Sequence, residues 1–295
     1  MRLSLVIPAK DPNDSKLKEL LRSIEMQDFP KSEVETLVIT EGTSESAKAI
    51  GIRKARGEVI GFLASDNQIP QCFLSIMYKV ASENGAAQPA QYRHEKSDDI
   101  LNRYFALIGG NDPLSYYMAK NDKQPHRIKT YDKAICNMTI GDNGFFIQKK
   151  LIEKTDLDNY YHIDNALEAI VKPNKIGFVN TTIWHKTGGN IFKFFQKRYL
   201  YGLQHAFNKN RRWHLVDFKQ PRDIGRLIWF IVASLTVVHP LLTSAKGYRK
   251  IQDVAWLLHP VVCIMTVFVY GLLTLHVLFN KLFQSSSVPT VAQRA

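Results

Sequence analysis

Cysteine is scarce in this sequence: Cys72, Cys136 and Cys263 are the three in 295 residues. They are widely spaced and odd in number, so they form no disulfide framework and no zinc-ligand spacing. A reducing, cytoplasmic compartment is the expectation. The opening MRLSLVIPAKDP has neither the long apolar run nor the small-residue cleavage pattern of a secretory leader. No internal repeat covers the chain; the one echo is Val238-His239-Pro240 against Leu258-His259-Pro260. Acid is missing from the last third. Residues 186–295 hold 3 Asp+Glu against 15 Lys+Arg, whereas residues 1–185 hold 24 of each. The whole net charge of +12 therefore lies beyond His185.

A basic region suits nucleic acid, a membrane surface or an anionic substrate. The surrounding residues choose among these. Val254–Asn280 runs 27 residues without Asp, Glu, Lys or Arg, and about 20 suffice to span a hydrocarbon core. Leu227–Ala245 is a second uncharged run of 19, interrupted by His239-Pro240. Because the cations flank these runs, the lipid bilayer is the expected partner and nucleic acid is not. Lys193, Lys197, Arg198, Lys209, Arg211, Arg212, Lys219, Arg222 and Arg226 all precede the first run, which puts residues 1–226 on the cytoplasmic side. Lys246, Arg249 and Lys250 lie between the runs and oppose a simple hairpin. The expectation is two spanning helices, with a re-entrant first run as the alternative. Gly188–Trp213 is rich in aromatics and cations, and fits either an interfacial helix or a helix packed on the core.

The first 85 residues alternate short apolar runs with helical spacings. Leu3–Pro8, Thr36–Thr40 and Glu58–Leu63 read as buried strands; Ser15–Gln27, Ser44–Ala55 and Cys72–Asn84 read as helices. This order predicts a parallel sheet covered on both faces. Ligands of such sheets bind beyond the carboxyl ends of the strands. Three polar turns gather there: Ala9-Lys10-Asp11, Glu41-Gly42-Thr43 and Ser65-Asp66-Asn67. Further along, Asp98–Ile108 reads as a helix and Gly109–Arg127 as loop. The glycines of GDNGFF, within Asn137–Ile147, predict a turn into a strand. His162–Val171 reads as a helix with Asp164 near its start, and Ile176–Trp184 as a strand ending at His185.

Taken together, these residues resemble glycosyltransferase family 2, with the GT-A fold, over residues 1–200. LSLVIPAKD resembles the first strand and its turn. TLVITEGTSES resembles the second strand, with Glu41-Gly42 keeping the second acid and the glycine of its usual ending. IGIRKARGEVIGFLASDNQIP resembles the strand leading to the metal-binding acidic motif. GDNGFF resembles the acceptor-side segment, and His162-Ile163-Asp164 the step holding the catalytic base. The two C-terminal apolar runs resemble those of membrane-attached members such as polyprenyl-phosphate sugar transferases.

The resemblance implies an α/β GT-A, Rossmann-like domain over 1–190 and a basic aromatic segment over 191–223. Two apolar membrane helices over 224–282 and a polar tail over 283–295 complete the expected organisation. It implies an enzyme, a hexosyltransferase, that moves a sugar from a nucleoside-diphosphate sugar to a polyprenyl-phosphate, other lipid-linked or glycan acceptor. Such transfer needs positive charge at the departing diphosphate. If configuration inverts, it also needs a base on the opposite face, at the acceptor hydroxyl. Asp66 is implied as ligand of a divalent metal, Mg or Mn, with His185 as a second ligand; Lys186 is an alternative phosphate contact. Ala64 stands where the first acid of the metal motif belongs, and Ser65 and Asn67 offer neutral oxygens. Pro8, Ala9, Glu41 and Gly42 are implied at the nucleoside. Asp142 and Asn143 are implied at the acceptor side. Asp164 is the implied general base and Asp142 its competitor. Ala64 also keeps open a non-catalytic nucleotide-sugar-binding or scaffold protein on a degenerate GT-A fold.

Overall fold

The computed structural model describes residues 1–110, 112–118, 127–129, 140–153, 160–170, 175–187, 190–207, 216 and 218–283; the side chains of 127–129, 164, 168–169, 175, 205, 207 and 281–283 lie outside that description. The chain forms two compact units. The first comprises Met1–His94 and Asn121–Thr187, the second Glu95–Lys120 and Gly188–Ala295. Nothing in the sequence reading had separated the insert Glu95–Lys120 from the residues around it.

The first unit is built on an eight-stranded sheet: β1 Leu3–Pro8, β2 Val34–Ile39, β3 Val59–Phe62, β4 Asn67–Gln68, β5 Gly85–Tyr92, β6 Arg127–Lys129, β7 Phe145–Gln148 and β8 Lys175–His185. Their order is β2-β1-β3-β7-β5-β8-β4, with β6 paired to β8. β1 runs parallel to β2 and β3, and β5 parallel to β8. β7 is antiparallel and inserted between β3 and β5. The crossover helices begin where local chemistry directs. Asp14 accepts the Lys16 N–H at the start of Ser15–Glu25, and Thr43 with Ser46 forms a capping box before Ser44–Lys54. Val6, Ile60, Phe62, Phe145, Ile147 and Phe178 pack in one buried cluster, each such side chain stabilising by about 1.5–3 kcal/mol.

Strand β5, GAAQPAQY, was not legible in the sequence. Its small residues lie opposite bulky ones, Ala86 opposite Ile147 and Ala87 opposite Phe146. The apolar mass that marks a strand is therefore carried by its neighbour. Pro89, which cannot donate to a ladder, sits where the β5–β8 register shifts.

The second unit is helical: Ile100–Ile108, Pro113–Met118, Ile191–Phe207, Pro221–Thr236, Val238–Lys250 and Leu258–Phe283. The helix Pro113–Met118 falls in the stretch expected to be loop. The first apolar run, expected as one spanning helix, is two helices bent by 87°. Val237 adopts a left-handed conformation at the break, and Pro240 falls in the first turn of the helix that follows, where its missing N–H costs nothing. Pro260 holds the same place in Leu258–Phe283. The repeated apolar-His-Pro is thus a helix-start signal used twice. Val254–Asn280 is the one described segment long and apolar enough by itself to cross a membrane; the bent pair passes that test only if it counts as one span.

Candidate functional site

The carboxyl ends of β1 and β2 lie side by side, Pro8 opposite Ile39. The buried Ala9 donates its N–H to the Ile39 carbonyl at 2.9 Å. Glu41 and Gly42 follow in an exposed turn. Gly42 has φ +77°, and a Cβ there would meet Ser46 Oγ at 2.3 Å, so the turn into the capped helix requires glycine.

The ASDN turn is organised by its last residue. Asn67 is fully buried. Its Oδ1 accepts the Ala64 N–H at 2.8 Å, and its Nδ2 donates to Asn143 Oδ1 at 3.1 Å and to the Trp184 carbonyl at 3.3 Å. Both ends of the carboxamide are therefore used within the fold, and Asn67 is not the neutral metal ligand the sequence suggested. Its backbone pairs with His185 across β4 and β8. That pairing brings Asp66 Oδ1 within 3.4 Å of His185 Nε2, with both side chains largely covered. Tyr92, at the end of β5, stacks on the His185 ring at 5.6 Å and accepts the Asn143 Nδ2–H at 2.9 Å. Lys186 donates its N–H to the Asp66 carbonyl at 2.9 Å, while its own carbonyl accepts from Lys16 Nζ at 2.6 Å. The Lys186 ammonium lies 3.6 Å from Glu19.

The GDNG turn faces two ways. Asn143 joins the Asn67–Tyr92 network, and its carbonyl accepts from Gln88 Nε2 at 3.2 Å. Asp142 turns to the helix Ser44–Lys54, where Lys48 Nζ reaches Asp142 Oδ2 at 2.5 Å and Glu45 Oε1 at 3.6 Å. Lys48 is buried and lies over the Tyr161 ring. Gly144 closes the turn with φ +73°. Its added Cβ would lie 3.0–3.1 Å from Phe73, Ile183 and Pro89, so no other residue fits without displacement.

Asp66, His185, Asn67 and Asn143 are thus brought together, and Asp142 is held in a second cluster with Lys48. Pro8, Ala9, Glu41 and Gly42 stand at the strand ends β1 and β2; Ser65 lies half-buried in the ASDN turn. Asp164 is the second residue of the helix Ile163–Ala169, and its side chain lies outside the described residues. Lys48 and Tyr92 were missed by the sequence reading. Lys48 stands between two alanines on a helix whose other cations are ordinary, and Tyr92 ends the strand that was itself hidden.

No protein-family model matches the chain, and no curated protein matches it by sequence. By shape it is similar to the mannosyltransferase PcManGT from Pyrobaculum calidifontis, solved in complex with GDP-Man and Mn2+. The TM-score is 0.51 at 12% identity, covering 97% of this chain and 88% of that one. It also matches S. aureus TarS 1–349 with a TM-score of 0.47 at 14% identity, covering 92% and 83% of the two chains. The first likeness, with the inserted antiparallel β7, defines the fold as a GT-A, Rossmann-like α/β domain with a C-terminal apolar helix.

Proposed function

We propose that this chain is a membrane-attached glycosyltransferase of family 2. It takes a nucleoside-diphosphate sugar on the cytoplasmic side and inverts configuration on transfer to a lipid-linked or glycan acceptor, with a polyprenyl phosphate among the lipid candidates. The observation that carries this reading is the Asp66–His185 pair, 3.4 Å apart beyond the end of β3 on a GT-A fold. Among the described residues no three His, Cys, Asp or Glu side chains converge. A divalent ion nevertheless fits one carboxylate and one imidazole if diphosphate oxygens complete its shell. When bound, such an ion supplies positive charge for the departing diphosphate. PcManGT was solved with Mn2+ and GDP-Man, and TarS with UDP-GlcNAc.

The chain's own residues do the rest. Asn67 and Tyr92 hold Asp66 and His185 in register. The turn at Ala9, Glu41 and Gly42 accepts the nucleoside, and Ser65 stands beside the diphosphate. Asn143 and the Lys48-bound Asp142 orient acceptor hydroxyls. Asp164 takes the proton from the attacking hydroxyl. Asp142, its competitor for that role, is ion-paired to Lys48.

The test uses the full chain purified in native-like lipid and screened with UDP- and GDP-sugars, with and without Mn2+, across lipid and glycan acceptors. Asp164→Asn should lower turnover roughly a hundredfold or more while donor binding persists. Asp66→Ala should weaken Mn2+-dependent donor binding. Full activity in both variants sinks the site. Donor binding with no turnover for any acceptor would establish the non-catalytic reading instead.

A further inference from the structure

Two chain segments enter the helical unit, and both leave the sheet at one place. Tyr92 pairs with Ile183 in register, Arg93 donates its N–H to the Ile183 carbonyl at 2.9 Å, and the Tyr92 ring stacks on His185. β5 and β8 therefore end side by side. Residues 1–185 carry 24 Lys+Arg and 24 Asp+Glu, which keeps the sheet in water, outside any hydrocarbon. How deep each segment can go is then set by its length.

The first segment meets the amino end of Leu258–Phe283. Arg103 pairs with Asp253 at 3.5 Å, and Tyr104 with His259 at 2.8 Å. On the way from Arg93 the chain makes a turn, where Asp98 donates its N–H to the Glu95 carbonyl at 3.1 Å, and then starts the helix Ile100–Ile108 at its cap Asp99. The turn covers under about 7 Å, extended residues about 3.5 Å each and helical ones about 1.5 Å. Arg103 can therefore lie no more than about 24 Å from Arg93.

The second segment meets the carboxyl end of the same helix. Tyr199 hydrogen-bonds His276 at 2.5 Å, and a Cβ on Gly202 would meet Leu273 at 2.4 Å. Ile191–Phe207 thus runs antiparallel to Leu258–Phe283 and begins level with its end. Asn190 caps that beginning by accepting the Lys193 N–H at 2.9 Å. From His185 to Asn190 the chain reaches at most about 18 Å. Both reaches fall short of a hydrocarbon core about 30 Å thick. Leu258–Phe283 is long enough to cross, yet neither of its ends can stand on the far side.

The first apolar run falls short for another reason. Leu227–Thr236 and Val238–Ala245 form helical arms of about 15 Å and about 12 Å. Bent by 87°, they leave their outer ends about 19 Å apart. Arg222 before the run and Lys246, Arg249 and Lys250 after it are all exposed. Ends that cannot lie on opposite sides put these cations at one membrane surface, which the preference of Lys and Arg for the cytoplasmic side requires. The exposed side chains between them are apolar. Trp229, Leu235, Leu241, Phe268, Leu272 and Leu275 are each more than half exposed.

We infer that the helical unit is monotopic. Pro221–Thr236, Val238–Lys250 and Leu258–Phe283 lie in one leaflet, with their exposed apolar side chains among the acyl chains and the flanking cations at anionic head groups. The chain does not cross the bilayer. The monotopic placement rests on the membrane attachment proposed above and replaces the two spanning helices expected from the sequence.

The test uses sealed membrane vesicles with the cytoplasmic face outward and a membrane-impermeant maleimide. The full chain carries Cys72→Ser and Cys136→Ser, keeps the fully buried Cys263, and gains one thiol as Lys54→Cys, Lys250→Cys or Gln293→Cys. All three thiols should label fully without detergent. Protection of Lys250→Cys or Gln293→Cys while Lys54→Cys labels would overturn the inference. Protection of all three together would reverse the proposed side and still support a chain that does not cross. A chain recovered in the soluble fraction would remove the attachment and the inference together. A second readout places spin labels at Val261→Cys, Phe268→Cys and Leu275→Cys in liposomes of phosphatidylglycerol and phosphatidylcholine. Their depths should agree within about 5 Å. A crossing helix would set at least one apart by about 10 Å and overturn the inference, as would dipolar broadening at Phe268→Cys that puts a second copy on this face.

Discussion

The two units bury polar groups in opposite ways. In the α/β unit, carboxamide, phenol and imidazole meet at the strand ends and consume one another, with Asn67, Asn143, Tyr92 and His185 linked in one network. In the helical unit, buried polar groups act as separate clips between helices: Tyr104 to His259 at 2.8 Å, Tyr117 to His239 at 3.1 Å and Arg103 to Asp253 at 3.5 Å. Its outer surface shows Trp229, Leu235, Leu241 and Phe268 instead. Large exposed apolar surface marks a membrane or partner face, and inward polar pairs suit helices surrounded by lipid. One unit thus concentrates polarity at its strand ends, while the other turns it inward and leaves its outer surface apolar.

Replacing Asn67 by Leu attacks the network at its centre and should have the largest effect. It strands the Ala64 N–H, Asn143 Oδ1 and the Trp184 carbonyl, and should lower stability by about 3 kcal/mol or more. Urea unfolding reads the loss, and donor binding should weaken with it. Gly144→Ala forces a Cβ into a crowded left-handed position and should cost about 2 kcal/mol, measured the same way. Asp253→Ala strikes the helical unit. Asp253 accepts the Ala255 N–H at 2.8 Å and faces Arg103, so its loss should cost about 1–2 kcal/mol. If Asn67→Leu and Asp253→Ala shift a single transition equally by every probe, the two units unfold as one block and the contrast between them does not extend to stability.

The smallest effect concerns pH. Burial pushes the Glu35 carboxyl up, but hydrogen bonds from Ser4 and from the backbone and side chain of Arg56 outweigh it, and the group sits below its usual range. A depressed folded value contributes stability above the unfolded value of about 4.3, and that contribution is lost as pH falls through the folded value. Glu35→Gln should therefore melt lower than wild type at neutral pH. The gap should close as melts are taken down to about pH 3. A gap that stays constant across this range refutes the assignment.

Much of the α/β unit was legible in the sequence because its first three strands carry their own apolar mass and its helices their own caps. Leu3–Pro8 forms with the bounds the sequence suggested. The hidden β5 was not legible, since alanines read as a strand only beside the phenylalanines and isoleucines of β7. The Asp66–His185 approach was expected as a shared role, but its cause lay elsewhere, in the Asn67–His185 pairing of a two-residue strand. Lys48 was invisible because its partner Asp142 stands 94 residues away. The interruption at His239-Pro240 in Leu227–Ala245 was legible, but the 87° bend between its two helices was not.

The sequence by itself determined the alternation of strands and helices, the three polar turns, and the concentration of cations beside apolar runs, since each depends on residues near one another in the chain. Only the tertiary structure decided which polar groups meet. Strand pairing spent the Asn67 carboxamide on the fold and brought His185 to Asp66, and helix packing joined Tyr104 to His259. Hydrogen bonds act over about 3 Å, and sequence spacing does not specify distances of that order between remote segments.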